Sequence, residues 1–136
     1  MATSTYLSNP TVTVNAVALT GFCTAATLER TNTAQDTTVF GNAARVYSAT
    51  IEDNTLTLSL FMTYGASEVY ATLKGLVGTQ TTVIVKPTSA AVGATNPNFT
   101  LTGTYLETLP VINATLGEIS SIDITFQGGV YTEPIV

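Results

Sequence analysis

The chain of 136 residues reads as one mainly β domain, a β-sandwich or partly closed barrel with a single flanking α-helix at about 67–78. Three observations predict that class. Runs such as 55–63 and 119–127 alternate apolar and polar residues with a period of two, the mark of a half-buried strand. About a fifth of the residues are threonine, whose branched Cβ favours extended backbone while its hydroxyl tolerates water. One stretch alone, SEVYATLKGLVG at 67–78, spaces its apolar residues as a helix does, with Val69, Tyr70, Leu73, Leu76 and Val77 on one stripe.

Taken in order, residues 1–10 are polar and end in Asn9-Pro10, which predicts an extended arm outside the core. At 11–14, Val12 and Val14 share a face, and Val17 and Leu19 continue after a turn at Asn15-Ala16. Segment 26–31 places Ala26 and Leu28 on one side and Thr27, Glu29 and Thr31 on the other. A polar loop is expected at 32–36, then short strands at 37–40 and 44–49 around Gly41-Asn42. In 55–63, Leu56, Leu58, Leu60 and Met62 face one way and Thr55, Thr57, Ser59 and Thr63 the other, with Phe61 the exception.

The helix carries its own end signals: Ser67 as N-cap, Glu68 where the dipole favours an acid, and Gly78 for a left-handed stop. Val83, Ile84 and Val85 make 81–86 apolar on both faces, as in a central strand covered by the helix. Segment 87–98, PTSAAVGATNPN, is a long uncharged loop. In 99–106, Phe99, Leu101 and Tyr105 point inward and Thr100, Thr102 and Thr104 outward. In 119–127, Ile122, Ile124 and Phe126 oppose Asp123, Thr125 and Gln127. The segment 128–136 leaves through Gly128-Gly129 and carries Val130, Tyr131, Ile135 and Val136, an arm whose apolar residues need a partner surface.

Composition narrows function. With no His and one Cys, a zinc site, a disulfide framework and a histidine proton relay all lack parts, and no cofactor is expected. Cys23, in the run Gly21-Phe22-Cys23, reads as a small buried hydrophobe because no base lies near it. Glu52 and Asp53 are adjacent and point apart instead of flanking a substrate, so an enzyme is not expected. Net charge is −5, and the four bases Arg30, Arg45, Lys74 and Lys86 are scattered, which argues against binding a phosphate backbone. No apolar run has the length of a membrane span, and the start MATSTYLSNP lacks the features of a signal peptide, so the expectation is a chain made in a cytoplasm. Only 10% of residues are charged and mean hydropathy is +0.34, too few ions for a surface that stands alone in water. Other copies of the chain are expected to cover part of it.

Four segments then carry a family resemblance. Lys86-Pro87-Thr88-Ser89-Ala90-Ala91-Val92 with Ala94-Thr95-Asn96-Pro97-Asn98-Phe99, together with VNAVALT at 14–20, TLERT at 27–31 and TVFGNAAR at 38–45, resemble small tail tube proteins of long-tailed double-stranded DNA bacteriophages. The similarity runs over most of 12–126. Ala16 and Ala18 depart from the family's usual Gly and acid, and Lys74-Gly75 stand where a tryptophan is common. The resemblance implies a β-sandwich subunit that closes into hexameric rings, which stack into a hollow tube through which the genome passes. It implies self-association, contacts with other tail proteins, and a place in the virion tail after assembly in the host cytoplasm, with no membrane partner.

Residue chemistry is compatible with that role. A sheet with one apolar face and one Thr-rich face can continue from subunit to subunit until no edge is free. Glu29, Thr57, Ser59 and Asp123 are the candidates for the channel wall, where acids would keep DNA phosphates off the surface. Thr88, Val92, Asn96 and Pro97 of the loop, with Tyr131, Ile135 and Val136 of the tail, are the candidates for subunit contacts. Two rival functions fit the same composition. A capsid-decorating protein would also be small, β-rich and oligomeric, and a carbohydrate-binding sandwich would display exposed aromatic platforms, whereas most Tyr and Phe here fit core positions.

Overall fold

The structure is a computed structural model that describes residues 10–134. Its elements are β1 (Thr11–Val14), β2 (Val17–Ala18), a 3-10 turn (Thr20–Phe22), β3 (Cys23–Asp36), β4 (Tyr47–Phe61), α1 (Val69–Leu73), β5 (Gln80–Lys86), β6 (Phe99–Leu106), β7 (Ser121–Gln127) and β8 (Val130–Thr132). Hydrogen bonding orders the antiparallel strands β2-β1-β5-β6-β7-β4-β3, with β8 also against β6. The path bends at β6. That strand meets β7 only at Tyr105 and Leu106, while Thr100, Leu101 and Thr102 pair with β8. Two layers result, β2-β1-β5-β6-β8 and β7-β4-β3, and their apolar faces share one core.

Val12, Val14, Val83 and Leu101 enter that core from the first layer, and Leu56, Leu58, Leu60, Ile122, Ile124 and Phe126 from the second. The period of two seen in the sequence of β4 and β7 is therefore the inside-outside alternation of a sandwich. Leu19 and the α1 residues Val69 and Leu73 complete it, all fully buried. The β1–β2 turn is built as expected, with Asn15 at φ 49° and Ala16 at φ 65°, the two left-handed residues of a tight hairpin.

Several elements differ from the sequence reading, each for a local reason. The helix is short, Val69–Leu73, and its N-cap is Glu68; Ser67 lies outside with φ 61°. Gly75 follows α1, the next bond is the tight one from Leu76 N to Leu73 O, and Val77 is drawn into a bridge with Leu106. Gly78 supplies the left-handed stop at φ 78°. Segment 32–36 is strand, not loop, because β3 continues beside β4 across a register shift between Asn32 and Ala34. Segment 37–40 is turn, and β4 begins only at Tyr47.

In β6 the alternation reverses partway. Gly103, at φ 77°, is the extra residue between the pairs Thr82–Thr102 and Thr81–Thr104, so a bulge swaps the faces. Thr104 is consequently buried, its hydroxyl donating to Gln127 O at 3.2 Å, and Tyr105 is exposed. Of the apolar trio in β5, Val83 is fully buried while Ile84 and Val85 are half-buried. Beyond Gly128 and Gly129 (φ 72° and 94°), the chain turns onto β6 as β8, so 128–132 belongs to the sandwich and is no free arm. Residues 1–9 of the arm expected at 1–10, and the contacts expected of Ile135 and Val136, lie outside the described residues.

Candidate assembly surfaces

The outer face of β3, β4 and β7 is a wall of hydroxyls. Register aligns Ala25, Ser59 and Asp123 in one row, Thr27, Thr57 and Thr125 in the next, and Glu29, Thr55 and Gln127 in a third. Because Leu56, Leu58, Leu60, Ile122, Ile124 and Phe126 take the inward positions, all three rows face out. Glu29, Thr57, Ser59 and Asp123 thus share one surface, where the Ser59 hydroxyl donates to Asp123 Oδ1 at 2.6 Å. These rows hold two acids and no base, and neither acid forms an ion pair among the described residues.

Past that wall β3 and β4 continue as a two-stranded ribbon. β7 follows β4 only as far as Thr55, so residues 47–53 of β4 and the outer edge of β3 have no strand beside them among the described residues. The turn that closes the ribbon is well bonded. Thr38 N donates to Asp36 Oδ1 at 2.9 Å, Val46 N to Thr38 Oγ1 at 2.8 Å and Val39 N to Asn42 Oδ1 at 2.9 Å, and Arg45 pairs with Asp36 at 2.8 Å. Hydrogen bonds from the Thr38 hydroxyl and amide, with a smaller one from Arg45, hold the Asp36 carboxyl below its usual range. On this ordered frame Phe40 and Ile51 stand in the open, at 106% and 89% relative exposure.

The ribbon's base opens onto a cleft of about 460 Å³ between the inward side of β3 and the strands β5, β6 and β8. Leu28, Val85, Phe99 and Tyr131 give it an apolar lining, and Arg30 and Lys86 bring two positive charges to it. Two of the four bases therefore meet at one place, although the sequence shows them scattered. Arg30 lies 4.1 Å over the Tyr131 ring and pairs with Glu52 at 3.2 Å. Tyr131 stacks on Phe99, its hydroxyl donates to Glu133 Oε2 at 3.1 Å, and partial burial followed by that acceptor pushes its titration upward. Lys86 Nζ donates to Ala90 O at 2.9 Å and forms no ion pair among the described residues.

The loop at 87–98 is braced from within. Asn96, 7% exposed, accepts from Thr88 N at 3.0 Å and donates to Ala90 O at 2.8 Å, and Pro97 is buried beside it. Of the loop residues read as subunit contacts, Thr88 and Val92 are half-buried, while Asn96 and Pro97 are turned into their own loop. Tyr131 is likewise packed within its own chain. Cys23 is half-buried against the core, and burial pushes its thiol up.

Sequence reasoning missed the segment 107–120, which joins β6 to β7. Val111, Ile112, Leu116 and Ile119 are exposed on it, and Tyr64 Oη holds it by donating to Val111 O at 2.8 Å. A turn closed by Glu118 N to Thr115 O, with Gly117 at φ 83°, presents Leu116 at its apex. The available signal was four large apolar residues with no period between two clear strands. The expectation that most aromatics are internal also needs correction: Phe40, Tyr47, Phe61, Tyr64 and Tyr105 are all at least 40% exposed.

Among the described residues no three His, Cys, Asp or Glu gather as metal ligands, and no helix is long and apolar enough to cross a membrane. No protein-family model matches the chain, and no curated protein matches it. Among solved structures it is similar to a chain of the anti-feeding prophage (AFP) baseplate, a cryo-EM structure 6-fold symmetrised, with 12% identity and a TM-score of 0.55 over 97% of this chain and 94% of that one. At that identity the likeness is one of fold.

Proposed function

We propose that this protein is a structural virion subunit, six copies of which close into a ring, with rings stacking into the tail tube of a bacteriophage. The observation that carries the reading is the β3–β4 ribbon. An isolated two-stranded hairpin is marginal in water, yet this one leaves the sandwich with its outer edges unpaired among the described residues and Phe40, Tyr47 and Ile51 exposed. A neighbouring copy supplies the missing strand and covers the apolar groups. The fold shared with a chain of a six-fold prophage baseplate supports the same reading and suggests the ring number.

In the ring, the β3-β4-β7 face lines the channel. Its threonine and serine rows offer water a hydroxyl surface, and Glu29 and Asp123 repel phosphates over about one Debye length, ~8 Å at physiological salt. DNA passes without being held, other tail proteins cap the tube, and no catalysis is involved. Negative-stain electron microscopy of the purified full chain tests this. Rings and tubes with a central channel are expected; monomers at high concentration, or compact trimers of the kind a capsid-decorating protein would form, would overturn it.

A further inference from the structure

We propose that residues 1–9 turn back at Pro10 and seat Tyr6 and Leu7 in the cleft of their own chain, between β3 and the strands β5, β6 and β8. Ring formation is not needed for this. Among the described residues, strand pairing joins the two layers of the sandwich only where β6 meets β7, at Tyr105 and Leu106, and β3 is the strand of its layer farthest along the path from that corner. The layers stand apart there as the cleft, lined by Ala26 and Leu28 of β3 and by Val85, Phe99 and Tyr131. Its volume of about 460 Å³ is room for roughly fifteen waters. Covering that apolar lining is favourable, because each apolar area removed from water contributes to stability.

The point at which the chain enters the cleft names the occupant. Pro10 is itself part of the lining, so residues 1–9 are tethered to the cleft wall. Leu7 is three residues from Pro10, a reach of at most about 10 Å. The segment MATSTYLSN carries no charged side chain, and Tyr6 and Leu7 are its adjacent large apolar pair. A neutral occupant suits the cleft because its polar groups are already engaged: Arg30 with Glu52 at 3.2 Å, Lys86 Nζ with Ala90 O at 2.9 Å, and the Tyr131 hydroxyl with Glu133 at 3.1 Å. The exposed apolar segments elsewhere bring charge with them, Glu107 and Glu118 in 107–120 and Asp36 and Arg45 at the ribbon's turn. Ile135 and Val136 are neutral, but the chain ahead of them is bonded elsewhere, Pro134 O accepting from Asn98 N at 3.0 Å, and Pro134 does not line the cleft. Seating within one chain is favoured over exchange between copies, because so short a tether holds the segment at a local concentration on the order of millimolar. Seated there, it braces β3, the strand from which the ribbon projects.

Disulfide trapping in the full chain tests this, with Cys23→Ala removing the native thiol. Leu7→Cys with Ala26→Cys is expected to link readily. Leu7→Cys with Thr27→Cys, whose second position lies on the outward face of the same strand, should link at least about tenfold more slowly. In an equal mixture of isotope-labelled and unlabelled chains, both halves of each linked peptide should carry the same label. Mixed labels would mean that the segment seats on a second copy, and equal rates at positions 26 and 27 that it does not seat in the cleft. Linkage of Ile135→Cys to Ala26→Cys in place of Leu7→Cys would make the other end of the chain the occupant. Each of these results overturns the proposal. Ala26→Trp, which fills the cleft from an exposed position, should speed chymotrypsin cleavage after Tyr6 about tenfold, and unchanged cleavage would contradict it. Electron microscopy reads rings separately, so the cleft contact and the tube reading can fail independently.

Discussion

Ser59 and Asp123 sit directly opposite each other on β4 and β7, and the Ser59 hydroxyl donates to the Asp123 carboxylate at 2.6 Å. Both face outward, so the bond contributes little to the core. Its consequence is positional: it holds a negative charge upright on a surface otherwise made of hydroxyls.

That surface should be tunable by charge without loss of fold. Asp123→Asn is expected to change unfolding free energy by less than about 0.5 kcal/mol, as for most exposed substitutions. Glu29→Lys combined with Asp123→Lys should make assembled particles retain double-stranded DNA at low salt and release it as salt rises. Urea unfolding measures the first and filter binding across a salt series the second, where wild-type particles should retain no DNA.

The kink between β7 and β8 depends on having no Cβ at Gly129. A Cβ there would meet Thr102 O and Thr104 N at 3.0 Å with φ at 94°. Gly129→Ala should therefore cost about 1–3 kcal/mol. Gly21→Ala, where an added Cβ meets nothing within 4 Å, should be nearly neutral. Urea unfolding of the two variants separates a backbone constraint from a general intolerance of alanine.

Asn54, fully buried, ties the same kink to β4: its Nδ2 donates to Gly129 O at 3.1 Å and its backbone O accepts from Gly128 N at 2.7 Å. Asn54→Ala should lower stability by about 1–3 kcal/mol, the cost of leaving a buried polar partner unpaired. Deleting 128–136 should lower it further, since the deletion strips β8 from β6 and uncovers Leu101. Thermal unfolding by circular dichroism ranks the two.

The turn at the ribbon's tip should answer to acid. Asp36 titrates below its ordinary 3.8 because the charged form is hydrogen-bonded, first by Thr38. A depressed folded value means that the stabilisation is present above the ordinary value and is lost as pH falls through the folded one. NMR titration of the Asp36 carboxyl should show a midpoint below 3.8, and Thr38→Val should move it back up.

What was legible from residues alone follows from which positions are set by local rules. The alternation of Leu56, Leu58 and Leu60 and of Ile122, Ile124 and Phe126 needed only a buried face, and both strands are found with those residues inward. The turn at Asn15-Ala16 was legible for the same reason. Tyr105 and Thr104 were assigned to the wrong faces because one residue, Gly103, adds a bulge that no periodicity records. The helix was overextended because Val77 belongs to a bridge with Leu106, a partner 29 residues away. Nor could spacing show that Arg30, Lys86, Phe99 and Tyr131 converge, since four different strands bring them to one cleft. Glu29, Thr57, Ser59 and Asp123 were recognisable as one face because a single sheet and a period of two decide it.

A tube requires self-association through the ribbon edges. Sedimentation velocity of the full chain across a wide concentration range tests it most directly: a discrete ring species is expected first, then a growing series of stacked multiples. A single boundary of one chain's mass, unchanged at the highest concentration reached, would contradict it.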